Sequence, residues 1–182
     1  MKTKRIVLNG LFCALGVLLP QAFHVFGAAS GMIFLPMHIP AMIAGFILGP
    51  VSGLVCGMLS PVISCFAVSM PALLKMPFMA FEVGAYGFFC GLIFKLLSGK
   101  TKNTLLSVYI TLIVAQIFGR IVNLLLTLAA VYILKLDSVA VISVWTAVVT
   151  GIPGIIIQWV FIPPIIFILR KLPIVKEINL TA

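Results

Sequence analysis

Residues 35–61 read LPMHIPAMIAGFILGPVSGLVCGMLSP. Pro36 and Pro40 enclose His38, an apolar run leads to Gly49-Pro50, and the chain leaves through Gly53 and Gly57. Gly45, Gly49, Gly53 and Gly57 stand four residues apart across a chain reversal. Small residues at that spacing share one helix face and let another backbone approach closely, as membrane helices do. A soluble core has little use for the pattern. The stretch therefore reads as two short helices joined by a tight turn, with the other helices arranged around them.

Composition agrees. The 182 residues are 63% hydrophobic and 8% charged, where a soluble domain would be about a quarter charged. A span needs roughly 20 apolar residues, so about five to seven spans fit in this length. One domain, residues 1–182, is expected. The formal charge of +9 does not point to nucleic acid, because the basic residues fall in short segments between apolar runs. That is the positive-inside pattern of a membrane protein. Cys13, Cys56, Cys65 and Cys90 lie in apolar runs with no C-x-x-C or histidine spacing. They read as packing residues, so no metal and no cofactor is expected.

Six helices follow from the apolar runs, at about 5–26, 38–48, 51–68, 78–97, 104–134 and 141–169, the last interrupted at Pro153. The first follows MKTKR and exceeds the ~7–15 apolar residues of a signal peptide. It is expected to be an uncleaved span, although Gly27-Ala28-Ala29 could pass as a cleavage site. The second is short for a crossing at ~1.5 Å per residue, which predicts a tilted or partly inserted helix. Residues 27–37 and 69–77 are expected to be outer loops, and Lys135 with Asp137 marks a third. Nine of the twelve Lys and Arg fall on the predicted inner side. The expected fold is an all-α integral membrane protein with six transmembrane helices and both termini cytoplasmic. On the first helix, Gly10 and Ala14 form a small-x-x-x-small pair, suited to packing within the fold or to docking a partner in the bilayer.

Two ionisable residues lie inside predicted spans, Glu82 on the fourth and Arg120 on the fifth. A charge at mid-membrane costs about 3 kcal/mol even on insertion scales, so both should face the bundle interior or water. Gln116, Arg120, Asn123 and Thr127 recur at three- and four-residue steps and make one polar face. The sixth helix adds Thr146, Thr150 and Gln158 with Trp145 and Trp159, and Tyr86 lies one turn from Glu82. These residues predict a polar cavity among the last three helices. Counted from the outer ends, Glu82 lies ~7 Å deep and Arg120 roughly 20 Å deep, with Asn123 nearer the level of Glu82. The pair either contacts a ligand or serves only to neutralise its own charges. His38, Met32, Met37, Met70, Met76 and Phe34 fall in or beside the outer loops, as an adaptable lid or as plain surface cover. The only acids besides Glu82 are Asp137 and Glu177, and no protease, esterase or nucleotide-binding motif is present. The chain is not expected to be an enzyme or to hydrolyse ATP, so uphill transport would draw on an ion gradient or a partner.

The basic start, the small-residue pair, the loop ending Leu35-Pro36-Met37-His38-Ile39-Pro40 and the helix closing on Leu48-Gly49-Pro50-x-x-Gly53 together resemble a known family. It is the substrate-binding S component of energy-coupling factor (ECF) transporters, which take up vitamins in bacteria and archaea. The resemblance implies a cell-membrane subunit of an ECF-type ABC transporter. Such a subunit captures a small vitamin from outside and topples with a membrane coupling protein (the T component) and two cytoplasmic ATPases. It implies a ligand site from the loop after the first helix and from the last three helices, here His38, Glu82, Tyr86, Gln116, Arg120, Asn123, Trp145 and Thr150. It implies partner docking on the first three helices, here through Gly10, Ala14, Gly49 and Gly53. Gly10 stands where the family typically has alanine, which keeps the small size. Arg120, with Lys75 at the mouth, suits a carboxylate such as pantothenate or nicotinate. If Glu82 neutralises Arg120, a neutral ligand such as pyridoxine or a pyrimidine alcohol fits. Two other classes stay open: an autonomous proton-coupled secondary transporter using Glu82, and an assembly protein that only packs helices.

Overall fold

A computed structural model of the protein describes residues 2–25, 27, 30–99, 103–132, 135, 142–173 and 175. Among the described residues, apolar runs with the backbone hydrogen-bonded internally form eight helices in this order: α1 (Lys2–His24), α2 (Ser30–Phe34), α3 (His38–Leu48), α4 (Pro50–Val68), α5 (Met76–Ser98), α6 (Thr104–Tyr132), α7 (Ile142–Thr150) and α8 (Ile152–Leu169). No strand occurs among the described residues. Helices satisfy every backbone group within one segment, as an apolar surrounding requires. Six stretches of the described residues are long and apolar enough to cross a membrane: Thr3–His24, Ser30–Leu48, Pro50–Val68, Met76–Ser98, Thr104–Tyr132 and Ile152–Leu169.

Two expectations change. The segment expected as a loop over 27–37 contains α2. Ser30 Oγ donates to the carbonyls of Phe23 and Gly27, both at 2.6 Å, and folds the chain back against the end of α1. The short second helix is then one part of a broken span, since α2 and α3 together make a 19-residue apolar stretch. The break falls at Leu35, whose φ of 50° is left-handed, and at the proline after it. In the same way Gly151 separates α7 from α8, two residues before the interruption expected at Pro153. Asp137, Glu177, Lys100 and Lys102 lie outside the described residues.

Helix α5 is the centre of the bundle, packed against α3, α4 and α6. The glycine series supplies the reason. A Cβ on Gly45 or Gly53 would overlap the Gly87 carbonyl of α5, and one on Gly57 would overlap that of Val83. Three helices are therefore in backbone contact along one seam. Gly49 makes the reversal between α3 and α4 with φ of 96°, and Pro50 starts α4 where its missing N–H costs nothing.

On this seam lies Gly53, one of the residues expected in partner docking. It is buried against Gly87, so its small size serves packing inside the subunit. Gly49 is part-buried, whereas Gly10 and Ala14 are exposed on α1. Helix α1 is held to the α3–α4 turn by Arg5 Nη2 donating to the Leu48 carbonyl and Asn9 Nδ2 donating to Ser52 Oγ, both at 3.2 Å. Its other face carries exposed Ile6, Val7, Leu11 and Leu18. The core between the seam and α6–α8 is built from Met42, Phe46, Tyr86, Phe94, Leu112, Ile162 and Ile166.

Candidate functional site

The centre of the bundle brings Glu82 of α5 to the polar face of α6. Glu82 is only 5% exposed, and an isolated carboxylate there would be very costly. Both its oxygens are engaged. Arg120 Nη1 donates to Oε1 at 2.7 Å, and Asn123 Nδ2 donates to Oε2. Asn123 Oδ1 in turn accepts from Thr127 Oγ1 at 3.3 Å. Arg120 Nη2 reaches the Ala147 carbonyl of α7 at 3.4 Å. One residue type per helix step thus ties α5, α6 and α7 together. Glu82 and Arg120 touch, although counting from the helix ends assigns them different depths; the helix ends are not level.

One turn away, a second set joins α6 to α8. Trp159 Nε1 donates to Gln116 Oε1 at 2.9 Å, and Gln116 Nε2 donates to Gln158 Oε1 at 2.8 Å. Between the two sets lies a cleft of about 580 Å³, lined by Tyr86, Gln116, Arg120, Trp145 and Trp159 with aliphatic side chains of α6, α7 and α8. Trp145 is 65% exposed and stands on its open side. The wall is aromatic and aliphatic with two polar side chains at fixed positions, the usual make-up of a small-molecule site.

His38 is brought to the same region from α3 as a buried side chain. It is 2% exposed and meets the Tyr86 ring edge-on, with centroids 4.9 Å apart. Neither of its ring nitrogens has a hydrogen-bond partner among the described residues. Met37 is buried too, while Met32 and Met70 are exposed. Thr150 is not brought into the cluster: it is exposed, and its hydroxyl donates to the Thr146 carbonyl of its own helix at 2.8 Å. Lys75 does not line this cleft.

Two glycines shape the site and were not legible as site residues. A Cβ on Gly119 would stand 2.8 Å from the Tyr86 ring, so the bare backbone of α6 is what lets Tyr86 lie flat against it. A Cβ on Gly151 would stand 3.1 Å from Arg120 Nη2 and 2.9 Å from the Ala147 carbonyl. Gly151 thus leaves room for the guanidinium where α7 meets α8.

The family model for the substrate-specific component of ECF transporters matches residues 4–166. The chain belongs to that family. No curated protein and no solved structure shows a match. As an ECF substrate-specific component it is a multi-pass membrane protein and a transport-binding subunit, not an enzyme. Membership also implies a small-molecule substrate, and T-component and ATPase partners in general terms. In this ECF component the cleft is bounded by α6, α7 and α8 with Tyr86 of α5 at its floor.

Proposed function

We propose that this ECF substrate-specific component captures a small vitamin or vitamin precursor from outside and delivers it inward by toppling with a T component and two ATPases. The carrying observation is the cleft of about 580 Å³ with Tyr86, Trp145 and Trp159 beside Gln116 and Arg120, a size and wall suited to one small ring compound. The whole chain 1–182 acts as one domain, in a bacterial or archaeal cell membrane with both termini cytoplasmic. Glu82, Asn123 and His38 support the cleft from behind, and Gly10 and Ala14 offer a partner-docking face on α1. Arg120 alone would favour pantothenate or another small carboxylate, and its pairing with Glu82 weakens that choice.

Uptake of radiolabelled vitamins into proteoliposomes tests this reading. Uptake is expected only when the T component, both ATPases and ATP are present. Uptake by the lone protein on an imposed pH gradient would instead establish an autonomous proton-coupled transporter and refute the proposal.

A further inference from the structure

We infer that the cleft selects an uncharged, flat ring compound bearing hydrogen-bond acceptors, and rejects carboxylates. The inference rests on the reading of the cleft as the ligand site and names the class of ligand. Its first support is charge. Arg120 is the only cation among the described residues that line the cleft, and its guanidinium is held by Glu82 at 2.7 Å. The site is electrically complete before any ligand arrives. A ligand carboxylate beside Arg120 would place a second anion near the buried Glu82, and like charges brought together in this way repel.

The second support is the polarity of the hydrogen bonds. An indole N–H can only donate, so Trp159 fixes Gln116 with its oxygen toward the indole and its amide nitrogen toward Gln158. Gln158 must then present its oxygen to Gln116, which leaves Gln158 Nε2 as the end of the relay. Gln158 itself does not line the cleft, so on the lining the unpartnered donor is Arg120 Nε, which is buried without a hydrogen-bond partner among the described residues. Its unmet capacity is donor in character. Buried donors left unpaired are unfavourable, and a carbonyl or ring nitrogen on a ligand would relieve that. A flat ring is favoured by Tyr86 and Trp159, since Tyr86 is packed against the α6 backbone at Gly119 and Trp159 is pinned through its indole nitrogen.

The test uses the full chain in detergent. The protein is incubated with a small-molecule extract of cells grown in rich medium, washed and denatured, and the released compounds are identified by mass spectrometry. The parent should release a ring compound that is uncharged at neutral pH. Glu82→Gln, which frees the guanidinium, should shift the ratio of acidic to uncharged compounds retained by at least tenfold toward acids. A carboxylate released by the parent would overturn the inference while leaving the proposed function standing, and so would a folded Glu82→Gln variant with an unchanged ratio. Release of nothing by a folded parent would overturn the binding function and the inference with it. The parent measurement decides the matter even where the variant fails to fold.

Discussion

The glycine seam makes a sharp prediction, because one substitution should act with opposite sign at two sites. In Gly53→Ala the new Cβ would overlap the Gly87 carbonyl oxygen, sit 2.5 Å from the Gly87 carbonyl carbon and 2.8 Å from Gly45 Cα. Carbon atoms prefer separations of about 3.5–4.0 Å, so α4 must move away from α3 and α5 by about 1 Å, and a gap of that size forfeits roughly half of each lost contact's attraction. Overpacking of this kind costs about 1–3 kcal/mol. Alanine returns up to about 1 kcal/mol of helix propensity. At Gly10 nothing lies within 4 Å of the added atom, so Gly10→Ala should show only the gain. The two variants should therefore differ by about 1–3 kcal/mol, roughly 2–12 °C in midpoint for a chain of this size. Thermal unfolding in one detergent, followed by loss of the monodisperse peak, measures the gap. Equal midpoints would refute the claim that the seam is held at backbone contact. Gly57→Ala adds a functional readout. Its Cβ would press on Val83 and Gly84, the neighbours of Glu82, so ligand affinity should fall together with stability.

Glu82→Ala strands the Arg120 guanidinium, whose side chain is 15% exposed, and should destabilise by about 3–5 kcal/mol, the usual cost of halving a buried pair. The double variant Glu82→Ala/Arg120→Met should recover most of that loss in the same unfolding assay, and a double variant no more stable than the single would disprove the pair's role. Gly119→Ala pushes the Tyr86 ring into the cleft and should weaken binding of the released ligand at least about tenfold, equivalent to ~1.4 kcal/mol, by tryptophan fluorescence titration. Unchanged affinity would remove Tyr86 from the floor of the site. Thr150→Ala should leave affinity within about twofold, because its hydroxyl is spent on its own helix; a larger loss would return Thr150 to the site.

What was legible in the sequence follows from what a single segment can encode. The six spans were readable because an apolar run carries its own length and the charges lie between runs. The polar face of α6 was readable because Gln116, Arg120, Asn123 and Thr127 share a periodicity that belongs to one helix. Helix α2 was not, since five residues have no period and its position depends on Ser30 bonding back to Phe23 and Gly27. The ion pair is not legible in the sequence, because counting depth along helices assumes level helix ends and locates α-carbons, while an arginine delivers its charge several bonds away. Gly53 shows the same limit most clearly. The four-residue spacing establishes a face without side chains, but the helix that fills it is decided by topology, and topology puts α5 there. A small-residue face is thus evidence of close approach and not of a partner. Among the described small-residue faces, that of Gly10 and Ala14 stays open on the surface, which is why partner docking is best sought on α1, whereas Gly45, Gly53 and Gly57 are spent on contact with α5.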